Sequence, residues 1–235
     1  MSRQEADAGV RLSVIIPTYN ERDSVAQVID KVRACGIAPL QMIVVNDCSN
    51  DGTRAVLEQL LPAADLLILH HEVNRGKGAA IRTAQPHVQG AAVVIQDADL
   101  EYNPAELPSL LHYIESGQAD AVFGSRYSGR EILVDTFWHY FGNKLLTLFS
   151  NVLSNLHLTD METCYKMMRS DLFKAMPLEC SRFGIEPELT ARLAKRRCRI
   201  YEVPITYRAR LYVEGKKIGW KDGIAALWYI LKYNL

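Results

Sequence analysis

Ala91-Ala92-Val93-Val94-Ile95-Gln96-Asp97-Ala98-Asp99-Leu100-Glu101 begins as an apolar run and ends as a cluster of acids. Residues 91–95 have the length and composition of a strand. Residues i and i+2 at a strand end point to the same side. The carboxylates of Asp97 and Asp99 can therefore converge on one hard cation, with Glu101 as a third oxygen donor. A helix start follows: Asn103 suits the N-cap, Pro104 the first helical position and Glu106 the third, a capping-box-like pattern. Leu107, Leu110, Leu111 and Ile114 form its buried face. Since Asn103 takes the cap, the acids before it are left for other work.

The same unit recurs along the first half of the chain. Residues 12–16 read as a central strand stopped by Pro17, and Asn20 as the cap of a helix that buries Val25, Val28, Ile29 and Val32. Residues 42–45, 66–69 and 121–123 read as further strands, with a helix ending near Pro62 and a small-residue helix interrupted at Pro86. Residues 137–156 and 186–196 read as helices, and 200–207 as a strand whose Pro204 suits a sheet edge. The aromatic stripe of residues 138–149 is expected in the core. The last segment sets Ile224, Leu227, Trp228 and Leu231 on one face. Strands alternating with helices predict an α/β fold, a single Rossmann-like domain with a mostly parallel central sheet flanked by helices. Residues 1–10 read as a flexible lead and 11–235 as the domain.

In such sheets ligands bind at the carboxyl ends of the strands. Each of the first five strands ends in a polar cluster: Thr18-Tyr19-Asn20-Glu21, Asn46-Asp47, Asn74-Arg75-Gly76-Lys77-Gly78, the acids from Asp97 to Glu101, and Arg126. Asp47 is placed either to accept hydrogen bonds from a base or ribose or to sit in a solvated turn. Gly76 and Gly78 let backbone approach a ligand, and Lys77 offers a cation. Neither a Walker A sequence nor a G-x-G-x-x-G fingerprint is present, which argues against a dinucleotide site.

Lys plus Arg equals Asp plus Glu at 27 each, so no overall field calls for nucleic acid. The cysteines (Cys35, Cys48, Cys164, Cys180, Cys198) are odd in number and lack a C-x-x-C pair, a pattern of reduced thiols rather than a disulfide frame or zinc site. Residues 1–10 are too polar for a signal peptide, and no apolar run nears the ~20 residues that span a bilayer. The chain is expected to be cytoplasmic, soluble or peripheral. A late basic set, Arg208, Arg210, Lys216, Lys217 and Lys221, is interleaved with Tyr207, Tyr212 and Trp220. It suits phosphate, anionic lipid headgroups or simply a solvated face.

Val14-Ile15-Ile16-Pro17-Thr18-Tyr19-Asn20-Glu21, Val45-Asn46-Asp47 with Asp51-Gly52-Thr53, Asn74 through Gly78, Asp97-Ala98-Asp99 and Gly124-Ser125-Arg126-Tyr127 occur in order. Together they resemble the family 2 inverting glycosyltransferases of the GT-A fold, in particular the polyprenyl-phosphate sugar synthases typified by dolichyl-phosphate mannose synthase. The resemblance implies that Pro17, Tyr19, Glu21 and Asp47 hold the nucleoside. It implies a wider nucleotide-sugar set of Val45, Gly76, Lys77, Asp97, Ala98 and Asp99. Asp99 and Glu101, beside Asp97, would bind Mg2+ or Mn2+; the mannose synthases carry Gln where Glu101 stands. Asp99 and Arg126 would be catalytic. Arg126, Arg210 and Lys216 would meet the acceptor phosphate, the last two in a segment (residues 210–216) similar to the family's R-x-Y-G-E-S-K. Residues 210–235 would form the acceptor loop and an amphipathic C-terminal helix. Thr159-Asp160-Met161-Glu162-Thr163-Cys164-Tyr165-Lys166 departs from the mannose synthases' T-S-G-F and leaves the sugar open.

The implied partners are a nucleotide-sugar donor and a polyprenyl-phosphate lipid at the membrane surface, without nucleic acid; a membrane-anchoring partner protein is compatible with them. A phosphate monoester has its second pKa at about 6. It is already an anionic nucleophile at neutral pH and needs cations to position it. A sugar hydroxyl would instead need a general base, and Asp160 or Glu162 would serve. The nearest rival enzymes, the sugar nucleotidyltransferases, would need a glycine-rich loop where Pro17-Thr18-Tyr19-Asn20 stands. A non-catalytic nucleotide-sugar or lipid-binding module would not need paired acids.

Overall fold

The computed structural model describes residues 9–129, 136–209 and 220–235. The strands Leu12–Thr18 (β1), Leu40–Asn46 (β2), Leu66–His70 (β3), Ala92–Ile95 (β4), Ala121–Ser125 (β5), Lys166–Arg169 (β6) and Ile200–Pro204 (β7) form one sheet, ordered β3-β2-β1-β4-β6-β5-β7. β6 pairs antiparallel with both β4 and β5, while the other pairs are parallel. That single reversal matters for function. Six strands deliver their carboxyl ends to one rim, and β6 delivers its amino end there, so the loop of residues 159–165 arrives at the same place.

The helices are Val25–Arg33 (α1), Thr53–Gln59 (α2), Lys77–Ala84 (α3), Leu107–Glu115 (α4), Phe137–Ser154 (α5), Ser170–Lys174 (α6), Ile185–Lys195 (α7) and Trp220–Asn234 (α8). α1 buries Val25, Val28, Ile29 and Val32, as its spacing predicts. β1 lies inside the sheet between β2 and β4, with Leu12, Val14, Ile15 and Ile16 fully buried. Each such side chain contributes about 1.5–3 kcal/mol to folding.

Several expectations need correcting. Pro17 does not stop β1, because the pairing with β4 ends at Ile15 and the missing N–H falls past the last β4 partner. Asn20 does not cap α1, which begins after Ser24. Its Oδ1 accepts from Asn50 N–H and its own N–H donates to Ser49, tying the first rim loop to the second. Asn103 does cap the turn before α4, accepting from Ala105 N–H, but Glu106 reaches across to the backbone and hydroxyl of Thr206 instead of completing a box. The strand expected over 200–207 ends at Pro204, on the sheet edge, and Tyr207 forms an isolated bridge with Tyr102. The stripe on α5 is not core: Phe137, Trp138, Phe141, Leu145 and Leu148 are all exposed.

Candidate functional site

Four rim loops each contain left-handed backbone: at Asn20, at Cys48 and Gly52, at Gly76, and at Leu100. Gly adopts this freely, whereas Leu100 at φ 64° and Cys48 at φ 60° sit about 1–2 kcal/mol above right-handed backbone. Leu100 packs its side chain on the core, so packing holds the strained turn that separates Asp99 from Glu101. Strain of this kind persists only where the surroundings over-determine it.

The acids of this turn point to different partners. Asp97 Oδ1 lies 2.7 Å from Lys77 Nζ, and the same ammonium lies 2.8 Å from Glu186 Oε1 in the first turn of α7. Burial alone would lower the Lys77 pKa, but Asp97 first, then Cys164 and Glu186, outweigh it and hold the ammonium well above its ordinary value. Asp99 Oδ1 accepts from Glu101 N–H at 3.2 Å. Glu101 Oε2 accepts from the Tyr207 hydroxyl at 2.6 Å. The structure thus brings Asp97 to Lys77 and links Asp99 to Glu101. Among the described residues no three acids, histidines or cysteines close into a metal-sized group. The donors that Asp99 and Glu101 offer are hard carboxylate oxygens on adjoining backbone, and such donors fit Mg2+ or Mn2+ chemistry.

Asp47 is buried, and both its oxygens meet protein groups. Oδ1 accepts from Arg75 N–H at 2.8 Å and lies 2.7 Å from His71 Nδ1, while Oδ2 accepts from Gly76 N–H at 2.7 Å. The solvated-turn alternative is therefore excluded, and the carboxylate holds the loop of residues 74–76 in place. The space where a Cβ would stand on Gly76 and Gly78 is filled by the chain's own backbone. A Cβ on Gly76 would collide with Ser181 O, and one on Gly78 with Cys180 O. The close approach that these glycines permit is to the chain's own backbone, where Gly78 N–H and Ala79 N–H donate to Arg182 O and Ser181 O.

Arg126 stands at the end of β5. Its Nε and Nη2 donate to Asp160 Oδ2 and Oδ1 at 2.7 and 2.8 Å, and its guanidinium lies 5.0 Å from the centre of the Tyr207 ring. Asp160 is fully buried and accepts from Arg126 N–H as well. Both its oxygens are engaged by Arg126. Glu162 differs. Its Oε1 is buried without a hydrogen-bond partner among the described residues. Burial first, and then the charge of Glu186, push its carboxyl up to about 7. Beneath it, the buried Lys166 donates to Met161 O and Thr163 O, and burial lowers its pKa.

Of the remaining expected residues, Tyr19 is exposed, Glu21 accepts from Ser24 Oγ, Pro17 lies on β1, and Val45 and Ala98 are buried with only backbone to offer. Arg210 and Lys216 lie outside the described residues, as do residues 1–8 and Lys217. Sequence reading missed Glu186, whose place is set by α7 delivering its amino end to the rim. It also missed the role of Tyr207, whose hydroxyl meets Glu101 while its ring faces Arg126.

Residues 13–176 match Glycosyl transferase family 2. The chain is 30% identical over 247 residues to an undecaprenyl-phosphate mannosyltransferase of Micrococcus luteus, covering 96% of this chain and 99% of that protein. It is 33% identical over 214 residues to a low-salt glycan biosynthesis hexosyltransferase, Agl6, of Haloferax volcanii, covering 88% of this chain; it spans only 50% of that relative's length. Among solved structures, glucosyl-3-phosphoglycerate synthase from Mycobacterium tuberculosis, in complex with Mn2+, uridine diphosphate and glucosyl-3-phosphoglycerate, superposes with a TM-score of 0.72 at 18% identity. The match covers 95% of this chain and 78% of that one. This likeness confirms the GT-A architecture expected from the resemblance.

Proposed function

The chain belongs to glycosyl transferase family 2, and on that premise we propose that it moves a hexose from a GDP- or UDP-sugar to a polyprenyl phosphate, with inversion and with Mg2+ or Mn2+. The observation that carries the reading is the position of Tyr207. One tyrosine joins the acidic turn suited to a metal and a leaving diphosphate, through Glu101, to the cation suited to an acceptor phosphate, Arg126. Donor and acceptor ends of a phosphate-rich reaction would then meet across a single ring. The relative matched end to end acts, by its name, on undecaprenyl phosphate.

A phosphate acceptor is already ionised at neutral pH, with its second pKa at about 6, so no base is required of the protein. Asp160, the acid nearest Arg126, is occupied in holding the guanidinium in place. Asp99 and Glu101 would hold the metal ion, which neutralises charge on the departing nucleoside diphosphate when bound. Lys77 fixes Asp97 at the donor side. Asp47 orders the loop of residues 74–76 beside the nucleoside, with Pro17, Tyr19 and Glu21 on the neighbouring loop. A lipid acceptor would bring the enzyme to the cytoplasmic membrane face as a peripheral protein, with or without an anchoring partner. Among the described residues no helix is long and apolar enough to cross a membrane.

Titration of GDP and UDP into the parent and Asp99→Ala proteins, with and without Mn2+, tests the donor side. Mn2+ should tighten nucleotide binding in the parent and not in the variant. A panel of nucleotide sugars with a polyprenyl phosphate, read by release of nucleoside diphosphate, tests the acceptor. Equal metal-independent binding by both proteins, or no release with any donor, would remove the proposal.

One observation favours a second reading. Glu162, with its unpartnered oxygen and a carboxyl near 7, suits a general base for a sugar hydroxyl acceptor.

A further inference from the structure

The loop of residues 179–182 is irregular backbone held from two sides. On one side it bonds α3, the helix that carries Lys77: Gly78 and Ala79 N–H donate to Arg182 O and Ser181 O, and Arg82 donates to Glu179 O at 2.9 Å. On the other side stands Glu188, whose side chain is fully buried. Its Oε1 accepts from Glu179 N–H and its Oε2 from Cys180 N–H, both at 2.8 Å. Arg192, one turn further along α7, donates to the same Oε1 from Nε and Nη2 at 2.8 and 2.6 Å. A carboxylate without such partners would not stay charged out of water.

α7 thus carries two acids, two residues apart, that face different ways. Glu186 meets Lys77 at 2.8 Å, and Glu188 holds the loop against which α3 leans. α8 closes the outer side. The Tyr233 ring lies 5.7 Å from the Arg192 guanidinium, and Lys232 reaches Glu179 at 3.2 Å. Tyr229, stacked on Tyr233, fills the space beside Gly184 in which a Cβ would stand. We propose that Glu188 and Arg192 are positioning residues for the nucleotide-sugar donor, and that α8 is the brace that keeps them set. They fix the loop, the loop fixes the amino end of α3, and α3 places the Lys77 ammonium between Asp97 and Glu186. A small displacement of a group that positions a substrate is costly even when its cause lies far away. The link to the donor rests on the reading of Lys77 and Asp97 given above.

Amide hydrogen exchange of the ligand-free protein, set beside titration with GDP and UDP in the presence of Mn2+, tests the coupling. In Arg192→Leu the Gly78 and Ala79 amides should exchange at least about tenfold faster. The dissociation constant of the bound nucleotide should rise about tenfold. Arg192→Lys keeps a cation without the planar fork and should fall between the parent and the Leu variant. Tyr233→Ala, which uncovers Arg192 on the α8 side, should move both readouts in the same direction. Tyr233→Phe removes a hydroxyl that has no partner among the described residues and should match the parent. Residues that only stabilise the fold would lower the fraction of protein that binds and leave the dissociation constant alone. Should Arg192→Leu not fold, Arg192→Lys and Tyr233→Ala supply the same two readouts. Unchanged exchange at Gly78 and Ala79 would overturn the proposal, as would faster exchange with the parent's affinity. A parent that binds neither nucleotide, while its variants still loosen Gly78 and Ala79, would keep the brace on α3 and sink the donor reading.

Discussion

The carboxylate of Asp160 grips Arg126 twice, through Nε at 2.7 Å and Nη2 at 2.8 Å, in a site where the acid is wholly buried and the base nearly so. Two hydrogen bonds and a shared desolvated environment make this pair a fixed support and not a loose surface contact. Asp160→Ala should lower stability by about 3–5 kcal/mol, because it strands a buried guanidinium. Arg126→Ala combined with Asp160→Ala should be less damaging than the sum of the single changes. Urea unfolding of the parent and three variants measures both quantities; additive effects would show that the two residues do not act together.

Asp47 acts through the loop that it holds. Asn at this position keeps the volume but turns one acceptor oxygen into a donor facing N–H groups of Arg75 and Gly76 or the ring of His71. Asp47→Asn should therefore destabilise the ligand-free protein by about 1–3 kcal/mol and weaken nucleoside diphosphate binding. A residue that touches only the nucleoside would leave ligand-free stability unaltered, so unfolding without nucleotide separates the two roles.

Periodicity and end signals made much of this legible. The buried stripe of α1, the strands of the first half, the edge position of Pro204 and the polar rim were all visible in residue order. β6 was not, since Lys166-Met167-Met168-Arg169 is short and carries charge at both ends. Its insertion between β4 and β5 depends on partners far away in sequence. α5 shows a sharper limit. Spacing identifies which side chains share a face, but not whether that face looks inward, and here Asn143, Thr147 and Asn151 take the inner side. Likewise, the glycines around Lys77 announced a close approach without saying to what. Glu186 was hidden because its site depends on where α7 begins in space.

Gly76 and Gly117 both have positive φ, at 92° and 70°, but only Gly76 is hemmed in. At Gly117 an added Cβ meets nothing within 4 Å, whereas at Gly76 it would collide with Ser181 O. Gly117→Ala should reduce stability by about 1 kcal/mol through backbone conformation alone. Gly76→Ala must also push the loop of residues 180–182 away from its own, and it should lose about 3 kcal/mol or more. Thermal unfolding of the two variants isolates the steric contribution; similar losses would mean that the 180–182 loop yields easily.

Glu162 gives the acceptor question a pH axis. Its carboxyl is raised from 4.5 to about 7, first by burial and then by Glu186. The unfolded chain releases this proton near the lower value and the folded chain near the higher one. The group's contribution to stability is thus fully present below about pH 4.5 and is lost as pH rises through 7. The loss is on the order of 3 kcal/mol at most. Glu162→Gln cannot ionise, so its stability relative to the parent should climb between those pH values and level off above them. Its activity separates the two acceptors. With a phosphate acceptor, turnover should change by no more than a few-fold. With a sugar hydroxyl, loss of the base should cut turnover by about 10²- to 10⁴-fold. Unfolding curves from pH 4 to 8, set beside kcat for each acceptor, would place Glu162 as a proton acceptor in the reaction or as a carboxyl that merely titrates beside it.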